Sequence, residues 1–312
     1  MWILWLVLAL LLLLLLFLFA LLYIGIFRWP RRFLREGAPS WAEEKWVQRI
    51  REGSAWMRQQ QTERICIKSY DGLRLVGLFL PAELPEPKGS IILVHGWHSN
   101  GYDDFSCAYR FYHELGYNIL NIFQRAHGES QGCFTCFGVK ERYDCQGWAR
   151  YMAERFGEEH DLFFSGISMG ASSVMMASSL ELPGSVRGLV ADCGFTSAWE
   201  QFSHVLTRHF HLPAHPILEL ADLLCRCIAG FGFRDCSCPE ALSQNQIPVL
   251  FVHGLADHFV PAHMSQSCYD ACAAPKELVL VEGAGHGFSF LVEEERVSAK
   301  IKDFLKKWGT KE

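Results

Sequence analysis

The sequence has no excess of positive charge, no internal repeat and no low-complexity linker outside one run of leucines. Its 312 residues include 29 Lys and Arg against 34 Asp and Glu, which gives a formal net charge of −5 at pH 7. An acidic balance argues against nucleic acid as the main partner. Hydrophobic residues make up 50% of the chain. This length and composition suffice for one large α/β domain with a full core and an additional N-terminal segment.

A cleavable signal peptide is not indicated, because no basic residue precedes the N-terminal apolar run and no small-x-small site follows it. The run extends from Trp2 to Phe27, and about 20 apolar residues span the core of a bilayer. Its uniform leucines also argue against a buried core helix. We therefore predict that residues 1–29 form a single transmembrane anchor. Aromatic residues that suit the membrane interface lie towards both ends: Trp2, Trp5, Tyr23 and Trp29.

The basic residues that border this anchor all follow it, and they are Arg28, Arg31, Arg32 and Arg35. The positive-inside rule then places the rest of the chain on the cytoplasmic side. Residues 30–61 read as a charged, amphipathic connector. This connector either lies on the membrane surface or packs on the domain as an N-terminal helix, and we favour the second interpretation.

Zinc-ligand spacing is lacking among the 12 cysteines. Cys133 and Cys136 form a Cys-x-x-Cys pair, but no second pair lies at the distance that a structural zinc site needs. In a reducing cytoplasm the cysteines are expected to be thiols, whereas the opposite orientation would allow disulfides. We predict no metal and no organic cofactor.

Apolar strands and helices alternate over residues 62–309, which are predicted to form one domain. A hairpin signal around Asp71-Gly72 precedes strands that are hydrophobic throughout, such as Ser90–Val94. This pattern predicts a mostly parallel, doubly wound α/β sheet. The alternation pauses at residues 196–246, which form either a short helical cap over the site or a helix pair on the sheet edge. Apolar cap residues are expected to line a hydrophobic pocket: Phe202, Phe210, Leu212, Ile217, Leu220, Phe231 and Phe233.

One predicted strand runs directly into a helix of small residues, with a Gly-x-Ser-x-Gly motif at the junction. The motif is Gly166-Ile167-Ser168-Met169-Gly170. A sharp turn of this kind lifts the serine hydroxyl clear of the backbone, and the flanking glycines avoid collisions with the neighbouring elements. The N–H of Met169 then points to where an oxyanion would form. The simpler alternative is a glycine-rich turn with an ordinary N-cap serine.

Ser168, Asp257 and His286 follow three different predicted strands in that order, and such side chains meet at the carboxyl edge of a parallel sheet. A histidine can take the serine proton, and a buried carboxylate can orient the histidine and stabilise its cation. Asp192 also follows a strand and is an alternative acid. The other histidines near this edge are expected to be structural or to line the substrate: His95, His98, His127 and His253. Those of the cap are expected at the pocket mouth: His204, His209, His211 and His215.

Four motifs in this order resemble those of α/β-hydrolase-fold serine hydrolases over roughly residues 60–309. They are His95-Gly96-Trp97, the Gly166–Gly170 motif, His253–Pro261 and Gly285-His286. Within that superfamily the chain is similar to serine-aminopeptidase-like, membrane-anchored hydrolases of Gram-positive bacteria. The resemblance implies Ser168 as nucleophile, Asp257 as acid, His286 as base, and the backbone N–H groups of Met169 and Trp97 as the oxyanion hole.

Some relatives carry an Asp-x-Arg-x-His-Gly-x-Ser segment, and this chain has Phe123 in place of the aspartate, followed by Gln124–Ser130. That departure concerns the mouth of the site. We expect a membrane-anchored enzyme that cleaves carboxylic esters or thioesters of a small-molecule or lipid-derived acyl substrate. One alternative is an aminopeptidase-like enzyme, for which Glu129 could hold a substrate amine. Another is a catalytically silent binding protein on the same scaffold.

Overall fold

An eight-stranded mixed sheet forms the centre of the protein, for which a computed structural model describes residues 1–28 and 44–310. Arg31, Arg32 and Arg35, and the first part of the predicted connector, lie outside the described residues. The strands are β1 (Glu63–Lys68), β2 (Arg74–Leu80), β3 (Ser90–Val94), β4 (Asn118–Phe123), β5 (Leu162–Ile167), β6 (Val186–Asp192), β7 (Val249–Gly254) and β8 (Lys276–Val281).

The strand order is β1-β2-β4-β3-β5-β6-β7-β8. β1 and β2 form the antiparallel hairpin around Asp71-Gly72, β2 pairs antiparallel with β4, and all later pairs are parallel. Every residue of β3, β4 and β7 is buried, as expected for strands covered on both faces. The predicted mostly parallel, doubly wound sheet is confirmed.

The helices lie before, between and after these strands. They are α1 (Trp2–Ile26), α2 (Glu44–Gln59), α3 (Tyr109–Glu114), α4 (Glu141–Phe156), α5 (Met169–Ala177), α6 (Ala198–His204), α7 (Ile217–Ala229), α8 (Cys238–Ser243), α9 (Ala262–Ala271), α10 (Ser289–Val292) and α11 (Glu294–Trp308).

Successive residues of a strand point to opposite faces of the sheet, and each face has its own core. Ile92 and Val94 of β3 pack with α4, α5, α8 and α9. Ile91 and Leu93 pack with α2, α3 and α11. α2 is amphipathic and buries Ile50, Ser54 and Met57, so the described part of the predicted connector packs on the domain.

Two segments lie outside this three-layer arrangement. Between β6 and β7, α6 continues into a π-helical turn, Val205–His209, and is followed by α7. α1 is exposed over most of its length, and its last turns pack against α7. Among the described residues, α1 is the one helix long and apolar enough to cross a membrane.

Candidate active site

Ser168 lies at the sharp turn between β5 and α5, with a positive φ of 56°. The two glycines of the motif are required by close contacts. A Cβ at Gly166 would lie 2.6 Å from the backbone nitrogen of Ala171, and one at Gly170 would overlap the carbonyl oxygen of Val94. The strained turn therefore presents the Ser168 hydroxyl at the carboxyl edge of the sheet.

The structure brings Ser168, His286 and Asp257 into one hydrogen-bonded chain. His286 Nε2 lies 2.8 Å from Ser168 Oγ, and His286 Nδ1 lies 2.6 Å from Asp257 Oδ2. Ser168 and Asp257 are buried, while the side chain of His286 is 21% exposed. The imidazole thus joins a buried carboxylate to a serine hydroxyl at the edge of a solvent-accessible space.

The Asp257 carboxylate is held by several donors. Its Oδ1 accepts the backbone N–H groups of Phe259 at 2.9 Å and Val260 at 2.8 Å. Its Oδ2 lies 3.4 Å from His253 Nε2 as well as against His286. Burial raises the pKa of Asp257, but the hydrogen bonds from His253, His286 and Val260 outweigh it and hold the pKa well below its usual value. Asp257 is therefore in its carboxylate form at neutral pH.

Asp192, the alternative acid, has different partners. Its Oδ1 accepts the hydroxyl of Ser289 at 3.1 Å, whereas His286 Nδ1 is hydrogen-bonded to Asp257. Burial raises the pKa of Asp192 to about 6, against smaller lowering effects of His253, Ser289 and His286. Asp192 lies in the wall of the site without orienting the imidazole.

The loop after β3 passes beside Ser168, since a Cβ added at Gly96 would lie 3.3 Å from the Cβ of Ser168. The N–H of Gly96 donates to Asp104 Oδ2 at 2.5 Å, and the N–H of His98 donates to His127 Nε2 at 3.0 Å. The N–H of Trp97, between them, finds no acceptor in the described part of the chain. Met169 is the first residue of α5, so its N–H has no intrahelical acceptor either.

The segment Gln124–Ser130 supports this loop from behind. The Gln124 backbone N–H donates to His95 Nε2 at 3.1 Å, and its side-chain amide donates to the carbonyl of His95. Arg125 is buried and donates to Asp144 through Nε at 2.6 Å and through an Nη at 2.7 Å, and it also contacts Asp71 at 2.9 Å. The segment that departs from the family pattern therefore supports the loop after β3.

Two cavities meet at Ser168, and Trp97 and Phe259 also line both of them. The larger cavity has a volume of about 600 Å³, and polar groups on one wall include Asn100, Asp103 and Asp104. The second cavity, the apolar cavity, has a volume of about 300 Å³. It is enclosed by the last turns of α1, by the cap and by Phe137 and Phe195.

Four of the seven predicted cap residues line the apolar cavity: Phe202, Phe210, Ile217 and Phe233. Leu212, Leu220 and Phe231 line neither cavity. His209 is at this cavity, while His215 pairs with Glu219 on the surface. Glu129, the candidate for binding a substrate amine, forms a surface ion pair with Arg64 at 2.5 Å and lines neither cavity.

Cys193, Asp257 and His286 place potential metal-ligand atoms within 4.8 Å of one another. Burial raises the pKa of the Cys193 thiol well above its usual value, and a neutral thiol is a poor ligand. The other two groups are hydrogen-bonded to each other. The chemistry that this donor set supports is proton transfer to and from Ser168.

Sequence reasoning missed three contributors to the site. They are the last turns of α1 at the apolar cavity, Asp104 behind Gly96, and His253 as a second partner of Asp257. The contact of α1 joins segments that are far apart in the sequence. Asp104 and His253 are close in sequence to their partners, but the direction of their side chains depends on the folded loops.

A family model described as Serine hydrolase (FSH1) matches residues 168–288. The chain is 26% identical to YqkD of Bacillus subtilis over 216 residues, which are 69% of this chain and 70% of that protein. The esterase Pf2001 of Pyrococcus furiosus superposes with a TM-score of 0.65 at 21% identity, covering 80% of this chain and 94% of the esterase. An acylaminoacyl peptidase of Pyrococcus horikoshii gives a TM-score of 0.63 at 16% identity, covering 84% of this chain and 44% of the peptidase.

The fold of these neighbours is that of the α/β hydrolases, and the match to the serine hydrolase model begins at the elbow serine itself. The chain is thus a serine hydrolase of the α/β-hydrolase fold, which confirms the predicted fold class and enzyme class.

Proposed function

We propose that this protein is a membrane-anchored esterase that cleaves carboxylic esters or thioesters through an acyl-enzyme on Ser168. The observation that carries the proposal is the hydrogen-bonded chain from Ser168 through His286 to Asp257, at the point where two cavities meet. The similarity in fold to the Pyrococcus furiosus esterase supports ester chemistry. No cofactor is needed for this reaction.

The geometry supports a two-step acyl transfer. Ser168 Oγ attacks the acyl carbon while its proton passes to His286 Nε2, and Asp257 stabilises the resulting imidazolium. The N–H groups of Trp97 and Met169 stabilise the oxyanion, since neither is occupied by a protein acceptor. His286 then protonates the leaving alcohol or thiol. A water molecule, deprotonated by His286, attacks the acyl-enzyme and releases the acid.

α1 is the proposed single-pass anchor, and the basic residues that follow it support a cytoplasmic catalytic domain under the positive-inside rule. Arg28, the described member of the basic group, donates to the backbone carbonyls of Ser130 and Gly128 at 2.7 Å each. Its positive charge is therefore fixed at the junction between the anchor and the domain.

An aminopeptidase-like activity has one observation in its favour, since Asp103 and Asp104 line the larger cavity and could attract a substrate amine. Both carboxylates already accept protein donors. Asp104 accepts the Gly96 N–H, and Asp103 accepts Ser54 Oγ at 2.6 Å and Asn100 Nδ2 at 2.7 Å. Ester cleavage is therefore the better-supported reaction.

The deciding experiment is labelling of the full-length protein in detergent with a fluorophosphonate probe, together with turnover of p-nitrophenyl esters. Ser168→Ala is expected to abolish labelling and to lower kcat by a factor on the order of 10⁴ or more, because it removes the nucleophile. Ser243→Ala, which removes an exposed hydroxyl, serves as the matched control and should label normally. A folded wild-type protein without labelling or turnover would instead indicate a silent binding scaffold.

A further inference from the structure

The last turns of α1 form one wall of the apolar cavity. Leu21, Leu22, Gly25 and Ile26 line it, and Leu22 and Ile26 are almost completely buried. Gly25 lies next to the cap, because a Cβ added there would lie 3.4 Å from the ring of Phe202. The helix that resembles a membrane anchor therefore also completes the cavity next to Ser168.

Backbone hydrogen bonds fix this end of α1 to the catalytic domain. Phe27 forms an antiparallel bridge with Phe134. On either side of it, Thr135 N–H donates to the Ile26 carbonyl at 2.7 Å, and Arg28 N–H donates to the Cys133 carbonyl at 2.8 Å.

The indole of Trp97, in the loop after β3, adds a contact by donating through Nε1 to the carbonyl of Gly25 at 2.7 Å. The cavity wall is therefore joined both to the domain and to the loop beside the reacting serine.

Exposed apolar side chains of the cap extend the surface of α1. α7 packs directly against α1, and beyond the first 26 residues the described chain exposes six large hydrophobic side chains. Three of the six belong to the cap: Phe210 at 54%, Leu220 at 37% and Leu223 at 61% exposure. Phe210 also lines the apolar cavity. An apolar surface of this kind beside a membrane span suits contact with lipid.

We infer that the substrate is a bilayer-resident acyl ester, whose acyl chain passes from the membrane along α1 into the apolar cavity. This inference rests on the proposed function. Methylene groups are about the size of a water molecule, which occupies about 30 Å³ in the liquid, so 300 Å³ holds a chain of about ten carbons. The alcohol part of the ester occupies the larger cavity, with its polar wall of Asn100 and Asp103. α1 is thus both anchor and acyl-binding element.

The test compares Gly25→Leu with Ala20→Leu in the full chain, reconstituted in detergent micelles. Both substitutions place a leucine side chain on α1, but Gly25 faces Phe202 while Ala20 is exposed. We expect Gly25→Leu to lower the ratio of kcat/KM for p-nitrophenyl decanoate to that for the acetate by at least tenfold. Ala20→Leu should leave both values unchanged. An unchanged ratio in Gly25→Leu overturns the inference.

Leu22→Ala keeps the inference testable if Gly25→Leu does not fold. It enlarges the same cavity, so the preferred acyl chain should lengthen and the ratio of dodecanoate to octanoate turnover should rise. An unchanged chain-length profile counts against α1 as the acyl wall. Fluorophosphonate labelling of Ser168 distinguishes failure of this inference from failure of the proposed function. No labelling of the wild type would overturn the esterase proposal as well. Normal labelling with an unaltered chain-length preference would overturn only the role of α1 in binding the acyl chain.

Discussion

At the scale of single residues, the reactivity of Ser168 depends on the environment of Asp257. Two backbone N–H groups and two histidines surround that carboxylate. Asp192 lies nearby with a single hydroxyl donor and a raised pKa. The pKa values of two carboxyl groups at one edge of the sheet are therefore shifted in opposite directions: Asp257 favours the charged form and Asp192 the neutral form.

Asp257→Asn should lower kcat/KM for a short-chain ester by a factor on the order of 10⁴, because the amide would hold His286 in the wrong tautomer. Asp192→Asn should cause a far smaller loss, since Asp192 does not orient His286. The measurement is ester turnover by the two purified variants at pH 8. The reverse order of the two losses would identify Asp192 as the acid.

Asp192 should also make stability depend on pH. A raised pKa means that the folded state favours the neutral carboxyl of Asp192. The contribution of this group to the stability of the folded state is therefore complete below pH 4 and is lost as the pH rises through about 6. A rise from 3.8 to about 6 corresponds to roughly 3 kcal/mol.

Asp192→Asn removes the titrating carboxyl and with it the loss of stability above pH 6. Relative to wild type, the variant should therefore be more stable at pH 7.5 than at pH 4. Urea unfolding at the two pH values measures the difference. Asp303→Asn, at an exposed position, is the control. An equal effect of Asp192→Asn at both pH values would contradict the assignment.

The sequence allowed Ser168, Asp257 and His286 to be selected because each follows a strand, and the ends of parallel strands share one edge. Local pattern could not choose between Asp257 and Asp192, which both satisfy that condition. The choice depends on side-chain direction and on the N–H groups of Phe259 and Val260, which only the folded loop defines.

At the scale of elements, a buried ion pair holds the segment after β4 against α4. The Arg125 side chain is 3% exposed and is paired with Asp144, which is equally buried. Burial raises the pKa of Asp144 to about 6 despite the hydrogen bond from Arg125. Removing the arginine would leave a carboxylate without its cation in the interior.

Arg125→Met should therefore lower the free energy of unfolding by about 3–5 kcal/mol. Arg150→Met, at an exposed position of α4, should change it by less than about 0.5 kcal/mol. Thermal unfolding of both variants in the same detergent checks this difference. If the two substitutions were equally tolerated, the pair of Arg125 and Asp144 would not stabilise the segment after β4.

Strands and helices were predictable where hydrophobic periodicity is strong, as in β3 and α11. The packing of α1 against the cap was not predictable, because the sequence of α1 is uniformly apolar and distinguishes no single face of the helix. Gly25 meets Trp97 and Phe202 across more than 70 positions, and no spacing rule reaches that far.

At the scale of the whole molecule, α1 forms part of the wall of the apolar cavity in the catalytic domain. Deleting residues 1–27 should release the protein from membranes and also open the apolar cavity, so turnover of decanoate should fall far more than turnover of acetate. Deleting residues 1–17 shortens α1 but keeps the turns that line the apolar cavity. Its decanoate-to-acetate ratio should stay close to that of the full chain.

Membrane sedimentation and the two turnover ratios together measure this outcome. A protein without residues 1–27 that still prefers long chains would show that α1 is an anchor only. The sequence predicted an N-terminal apolar helix and a hydrolase domain as two successive segments. The structure adds that residues of both line one cavity.

The position at which α1 meets the domain has a consequence for the bilayer itself. Residues 2–17, which precede the packed turns, span only about 24 Å of helix, whereas the hydrocarbon core is about 30 Å thick. In the proposed topology this hydrophobic mismatch is met by local thinning of the membrane or by immersion of the cap with Phe210 and Leu223. The thickness of the host bilayer then sets the depth of the cavity mouth, and lipid chain length becomes a regulator of the rate at which substrate reaches Ser168.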